Sequence, residues 1–334
     1  MLVPYSLIMS CYHPLPAIYE YGYSQDCKRV KVCSRNNPPA PYIHPSTGEL
    51  VEPMQIPCGK CIGCRLDYSR AWADRLTMES LDYPKDKVWF LTLTYDDDHL
   101  PSPSPIVQVS SLVPRDLELF MKRLRERWCR VYGASHIRFY GAGEYGSTTF
   151  RPHYHLILYG LELYDLVFHS ANFDGDPLYS SSELDEVWGN GFTLVAPFSW
   201  NTAAYTARYV VKKLKGPNAM NYYKSAGLVP EFVRMSRRPG IGSRFLNVNL
   251  ERLSQNDYVQ LPDGKSCVLP KYALRLLDKK DPLARDRIRK QRMEARENVE
   301  RELKRLTDLS SDSYLKLQEE NKLIAIKKLQ RKDL

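Results

Sequence analysis

Apolar and polar positions change period several times along the chain, and each change marks an element. The run Val88-Trp89-Phe90-Leu91-Thr92-Leu93-Thr94-Tyr95 is β-branched and aromatic, the composition of a strand. Leu117, Phe120, Met121, Leu124 and Trp128 fall at i, i+3, i+4, i+7 and i+11, which predicts an amphipathic helix over Arg115 to Arg130. Its polar face carries Lys122, Arg123, Arg125 and Arg127, available to solvent or to DNA. A strand at His136 to Tyr140 leads into the glycine-bearing Gly141-Ala142-Gly143-Glu144-Tyr145-Gly146, predicted to be flexible, and then into a second apolar strand, Arg151 to Gly160. Leu66 to Ser80 predicts a helix with Leu66, Ala73 and Leu76 on one stripe and Arg65, Arg70 and Arg75 turned to solvent or phosphate. Gly191 to Ala196 is a further strand, and the alanine-rich stretch from Thr202 is a helix ended by Gly216-Pro217. No sustained period runs through Met1 to Pro57, the stretch past Gly160 to Asp185, or Gly227 to Asn247, which predicts mostly loop there.

Two of these elements carry candidate chemistry. Alternation along the strand Arg151 to Gly160 sends His153 and His155 to one face, and two convergent imidazoles suit a divalent cation. The order strand, turn, strand predicts an antiparallel hairpin that brings Glu144 beside them as an oxygen ligand, leaving coordination positions open for a substrate phosphate. On the helix from Thr202, Tyr205 and Tyr209 are four residues apart and share a face, with Lys212 one turn beyond. An ammonium beside a phenol favours its ionised form, pulling the pKa below its ordinary value of about 10. The acidic Asp96-Asp97-Asp98, close before Pro101, has the composition of a turn.

Charge and cysteine usage narrow the setting. The 334 residues carry a net charge of +9, which points to a polyanionic partner. Most of that excess lies after about Arg275, in an Arg-, Lys- and Glu-rich tail of helical character. The absence of an apolar run of about eighteen residues and of a signal-peptide pattern predicts a soluble, unexported protein with no membrane partner. Of eight cysteines, three crowd into Cys58-x2-Cys61-x2-Cys64, a spacing suited to thiolate ligation of zinc or an iron-sulfur cluster in a reducing compartment. Cys11 supplies a fourth ligand, with Cys27, Cys33 and His13 as competitors. The basic, glycine-bearing Ser236 to Arg244 has the composition of a segment that follows a phosphate backbone. The chain therefore divides into a Cys-rich metal-stapled arm over 1–65, a domain over 66–250 and a basic, mostly helical region over 251–334.

Taken in order, Cys58-Gly-Lys-Cys61-Ile-Gly-Cys64-Arg65, Leu91-Thr-Leu-Thr-Tyr-Asp-Asp, Gly143-Glu-Tyr-Gly, Arg151-Pro-His-Tyr-His-Leu and Tyr205-x3-Tyr209-x2-Lys212 resemble the replication initiator proteins of gokushovirus-type Microviridae phages. The resemblance covers roughly residues 10 to 245. It implies an α+β rolling-circle endonuclease fold, an antiparallel sheet flanked by helices. It further implies that His153, His155 and Glu144 hold Mg2+ or Mn2+ and that a tyrosine attacks an origin phosphodiester, giving a 5'-phosphotyrosine link and a 3'-OH primer. Tyr209, with the Tyr-x2-Lys relation, is then the first nucleophile and Tyr205 its partner in a later cut, so that the displaced strand is rejoined as a circle. The implied partners are single-stranded or supercoiled phage origin DNA and the host polymerase and helicase, in the host bacterial cytoplasm. Three alternatives compete: a small-nucleotide phosphohydrolase, which would need a further histidine strand that is not present; a transposase or relaxase; and a noncatalytic zinc-bearing DNA-binding or packaging protein.

Overall fold

The computed structural model describes residues 11–21, 28–133, 136–146, 148–172, 175–212, 217–261, 264 and 266–330, and all their side chains except those of residues 21, 28, 209–212, 217–220, 304 and 327–330. Cys27 lies outside the described residues, as does the Gly216 expected to end the tyrosine helix. The chain divides into two compact units, one formed by the described parts of 1–67 and 290–334 and the other by Tyr68–Arg289.

In the first unit β1 (Leu15–Tyr21) pairs antiparallel with β2 (Lys28–Val32) and β5 (Met54–Ile56). A small hairpin joins β3 (Tyr42–Ile43) to β4 (Leu50–Val51). Its turn is closed by His44, whose Nδ1 accepts the backbone N–H of Thr47 at 3.1 Å. The segment predicted to be mostly loop thus consists of short strands, as its Pro and Ser content allows. The helix α1 (Ile62–Ser80) begins four residues before the predicted start, at the cysteine cluster.

The second unit is built on a seven-stranded sheet, antiparallel at every pairing. Its elements are β6 (Val88–Tyr95), α2 (Pro114–Tyr132), β7 (Arg138–Tyr145), β8 (Pro152–Tyr159), β9 (Val167–Ala171), β10 (Pro177–Ser180), α3 (Ser182–Trp188), β11 (Gly191–Pro197), α4 (Trp200–Lys212), α5 (Pro217–Ala226) and β12 (Phe232–Met235). The strand order is β12-β7-β8-β6-β11-β10-β9. Beyond it come α6 (Ser243–Asn256), the hairpin of β13 (Tyr258–Gln260) and β14 (Ser266–Val268), and α7 (Lys271–Lys280). Two long helices, α8 (Pro282–Leu306) and α9 (Ser311–Gln330), supply the helical tail; within the first unit Glu319 of α9 meets His13 Nε2 at 2.5 Å. No described helix is long and apolar enough to cross a membrane.

The histidine strand β8 is the centre of this sheet and is buried along nearly its whole length, so its two faces serve two layers. Tyr154, Leu156 and Leu158 face a core shared with Leu117, Phe120, Leu124 and Trp128 of α2 and Trp188 of α3. Ile157 and Tyr159 face the other way, into a core with Ala73 and Leu76 of α1 and Ala203 and Ala204 of α4. Because side chains alternate, His153 and His155 share the α1/α4 face, and they sit at its end, beyond the apolar packing.

Three expectations change. Gly141 to Tyr145 belongs to β7 and is not a flexible connection. Its glycines serve packing: a Cβ at Gly143 would lie 2.8 Å from Phe232 Cε1, and one at Gly141 would lie 3.3 Å from Leu156 Cγ. The stretches read as loop after Gly160 and Gly227 contain β9, β10, α3, β12 and the start of α6, elements too short or too edge-placed to impose a period on the sequence. Several cations assigned to solvent or DNA are structural. Arg123 donates to Trp188 O at 2.6 Å, Arg125 to Ile137 O at 3.0 Å, and Arg127 to Glu186 Oε2 at 2.7 Å. Arg75 is half-buried, its guanidinium 4.4 Å from the Trp72 ring and 4.5 Å from the Tyr272 ring.

Candidate active site

The pairing of β7 with β8 sets Glu144 directly opposite His153 and Ala142 opposite His155. The Glu144 carboxylate therefore lies between the two imidazoles, with Oε1 2.7 Å from His153 Nε2 and 3.2 Å from His155 Nε2. Each ring is held from its other nitrogen. His153 Nδ1 donates to Arg151 O at 3.1 Å, and His155 Nδ1 pairs with Thr92 Oγ1 at 3.0 Å. Such partners fix the tautomer and aim Nε2 at a common point. Burial alone would raise the Glu144 carboxyl, but the hydrogen bonds from His153 and His155 outweigh it and bring it down to about 2.

These three side chains fit a divalent cation. Their ligand atoms lie within 4.8 Å of one another, two nitrogens and an oxygen on one side of a point open on the other. Loading such a site replaces the protons shared between carboxylate and imidazoles with the cation. The predicted convergence of Glu144, His153 and His155 is thus present in the fold. The acidic Asp96-Asp97-Asp98 is not part of this group. Asp96 Oδ1 accepts the His99 N–H at 2.8 Å in a turn, and Asp97 Oδ1 binds Arg151 Nη1 at 2.6 Å.

The tyrosine between the histidines serves the opposite face. Tyr154 Oη donates to Val113 O at 3.0 Å and accepts from Val113 N at 3.1 Å, and it lies 2.9 Å from Tyr95 Oη, tying β8 to the start of α2. Burial pushes its phenol up to about 12, which keeps it protonated and removes it as a nucleophile.

On the α1/α4 face the tyrosine helix lies against β7 and β8. Its start is fixed by a reciprocal cap: Thr202 N donates to Ser199 Oγ at 3.1 Å and Ser199 N to Thr202 Oγ1 at 2.9 Å. Ala203, Ala204, Thr206 and Ala207 are buried, leaving Tyr205 and Arg208 on the outer side. The Tyr205 ring meets His155 edge-on at 5.2 Å between centroids, and Phe90 packs against both. Tyr209 and Lys212 follow on the same helix; their side chains lie outside the described residues. Thr92, Phe90 and Arg208 are the members of this neighbourhood that sequence reading missed. Thr92 was legible in principle, since the alternation of Thr92 and Thr94 in β6 puts hydroxyls on one face, but only the pairing shows that it is the face of the histidines.

The cysteine cluster forms a second group. Cys11, Cys58, Cys61 and Cys64 bring their sulfurs within 4.8 Å of one another, so that Cys11 is the fourth member and neither Cys33 nor His13 joins it. Cys58 and Cys64 sulfurs are 4.0 Å apart, and Cys61 and Cys11 sulfurs 3.9 Å. Backbone N–H groups point at these sulfurs: Cys58 N at Cys11 Sγ, 3.2 Å, Tyr12 N at Cys61 Sγ, 3.4 Å, and Lys60 N and Cys61 N at Cys58 Sγ, both 3.4 Å. Burial would raise the Cys58 thiol, but the N–H groups of Cys61 and Lys60 outweigh it and lower it to about 7. Four sulfurs with donors aimed at them suit a thiolate-bound metal.

Together the sheet and its polar end define a mixed α/β protein with a two-histidine, one-carboxylate cation site in an antiparallel sheet. The family model described as Replication-associated protein ORF2 matches residues 88–214, the segment from β6 through α4 that holds this site and the tyrosine helix. The chain is 36% identical over 227 residues to Replication-associated protein ORF2 of Spiroplasma virus 4, covering 67% of this chain and 68% of that protein. It is 32% identical over 220 residues to Replication-associated protein VP4 of Bdellovibrio phage phiMH2K, covering 65% of each, and 33% identical over 167 residues to Replication-associated protein ORF4 of Chlamydia phage 1, covering 47% of this chain and 38% of that protein. The chain belongs to this family of replication-associated proteins of Microviridae-type phages. No solved structure matches it.

Proposed function

We propose that the chain is a rolling-circle replication initiator endonuclease, acting in the host bacterial cytoplasm on single-stranded or supercoiled phage origin DNA. The observation that carries this reading is the Tyr205 ring set beside His155, on a helix whose next turn bears Tyr209 and Lys212. His153, His155 and Glu144 would hold Mg2+ or Mn2+, and that ion when bound would polarise the scissile phosphate. Tyr209 attacks the phosphorus first, Lys212 favouring its ionised form. A P–O bond forms to the tyrosine, the P–O3' bond breaks, and the departing 3'-oxygen takes up the phenol's proton. The products are a 5'-phosphotyrosine link and a 3'-OH that primes the host polymerase, with the host helicase opening the duplex ahead. Tyr205 makes the second cut at the regenerated origin, and the freed 3'-OH rejoins the displaced strand as a circle.

The cysteine cluster is assigned to zinc in a structural role. A tetrahedral Zn–S site with bonds of about 2.3 Å sets its sulfurs about 3.8 Å apart, and the pairs observed are 3.9 and 4.0 Å. A multi-iron cluster interposes sulfide and several metal ions between its ligands and needs a wider cage.

The test is incubation of the full chain with single-stranded origin DNA and Mn2+. A protein-DNA adduct that survives denaturation and needs Mn2+ is expected. Its absence across varied origin sequences would leave the noncatalytic DNA-binding or packaging reading in possession.

A further inference from the structure

The basic segment between β12 and α6 is a rigid construction, and its rigidity is not needed to close the loop. Its backbone is pinned from three sides. Ser236 N donates to Phe139 O at 2.9 Å, Arg138 Nη2 donates to Pro239 O at 2.9 Å, and Arg75 Nη2 donates to Ile241 O at 2.8 Å. Glu79, buried, receives Arg138 Nε on one carboxylate oxygen and Gly242 N on the other, each at 2.5 Å. Both glycines are needed for this fit. A Cβ at Gly240 would lie 3.1 Å from Tyr272 Oη, and Gly242 has φ +73 with its Cβ position 3.2 Å from Arg75 O.

Burying a carboxylate and a guanidinium carries a desolvation cost of several kcal/mol per ion, offset here by the hydrogen bonds to the loop backbone. What this scaffold presents outward is Arg237 and Arg238, both exposed, with no carboxylate paired to either among the described residues. Arg234, also exposed, precedes them on β12, opposite Gly141 and three residues along β7 from Glu144. The edge of the sheet therefore carries arginines leading away from the cation site, ending beside Arg138, six residues from Glu144 and so about 20 Å along the strand.

We infer that Arg234, Arg237 and Arg238 form a track for the phosphate backbone of single-stranded DNA flanking the scissile site, at the open edge of β12. The inference rests on the nucleic-acid reading of the site and adds where the strand runs. Arginine suits this use, because its planar fork meets phosphate oxygens in pairs and it is fully charged at any working pH. A stacked strand at 3.4 Å per nucleotide would place about six phosphates along the 20 Å, and an extended strand fewer. Fixing the backbone in advance lowers the ordering cost of each contact.

The experiment measures salt dependence, which a merely structural role does not move. Binding of the full chain to a fluorescein-labelled oligothymidylate is followed by anisotropy between about 50 and 200 mM salt. Each phosphate contact on a single strand contributes about 0.7 to the slope of log affinity against log salt. Arg237→Ala with Arg238→Ala is expected to flatten that slope by about 1.4, and the pair Arg237→Lys with Arg238→Lys to retain it. A slope unchanged in the alanine pair, or lost equally in the lysine pair, overturns the track while leaving DNA binding intact. Failure of the unmodified chain to bind the oligonucleotide at any salt overturns the nucleic-acid reading beneath it.

Discussion

Replacing Cys61 by serine is the most informative perturbation of the first unit. Cys61 sits at the end of the loop that enters α1 and is one of four sulfurs spaced for a single tetrahedral zinc. Structural zinc in small domains is bound with about 10–16 kcal/mol, and that energy is folding energy, because the site does not exist in the unfolded chain. A quarter share of about 12 kcal/mol is on the order of 3 kcal/mol, so one lost thiolate should weaken zinc about a hundredfold. The first unit depends on it heavily: its strands are two to seven residues long, and Cys11 is the residue that anchors the start of β1 to Cys58 and Cys61. Elemental analysis of the purified chain should find one zinc per molecule. In Cys61→Ser, zinc should pass readily to a competing chelator, and the arm before α1 should become sensitive to limited proteolysis. Cys33→Ser, outside the cluster, should behave like the parent chain. The Mn2+-dependent reaction at His153 and His155 should persist in Cys61→Ser. A parent chain that purifies without zinc, or a Cys61→Ser chain that holds zinc as firmly as its parent, would refute the reasoning.

Other expectations are simpler to state. Tyr209→Phe should abolish the first cleavage while Tyr205→Phe permits it, and equal first-cut rates in single-turnover assays would reverse or erase that order. Gly143→Ala should destabilise the second unit by about 1–3 kcal/mol through overpacking, since the new methyl would sit 2.8 Å from Phe232 Cε1; an unchanged denaturant midpoint would show that Phe232 gives way freely. Glu79→Gln should destabilise by about 3–5 kcal/mol, because it leaves the Arg138 guanidinium without its buried partner; chemical denaturation of the variant checks it. Glu144→Gln should lower Mn2+ affinity, measured by calorimetry on the full chain, and an affinity equal to the parent's would remove Glu144 from the ligand set.

How much of this was legible beforehand depended on whether an element announces itself locally. The histidine strand, β6 and α2 did, because each is long, apolar and strictly periodic. Glu144 was placed beside the histidines by hairpin logic, although its glycine neighbours suggested flexibility; what the sequence could not display is that Phe232, far later in the chain, needs the space those glycines leave. The short strands β9, β10 and β12 have too few residues to show a period and are defined by their neighbours in the sheet. Arg75, Arg123 and Arg125 looked solvated for a related reason: a cation's target here is a backbone carbonyl, and nothing in composition reveals a carbonyl. The cysteine triple was plain in its spacing, and its fourth member became definite only when the fold brought Cys11 within reach of Cys58 and Cys61.

The central claim is that a tyrosine of α4 reacts at the cation site formed by Glu144, His153 and His155. Its most direct test is peptide mapping by mass spectrometry of the adduct formed with Mn2+ and single-stranded origin DNA. The account predicts a 5'-phospho-oligonucleotide on the peptide containing Tyr205 and Tyr209, on Tyr209 in the parent chain. An adduct on any tyrosine outside α4, or an adduct that forms equally well in a His153→Ala, His155→Ala chain, would contradict it.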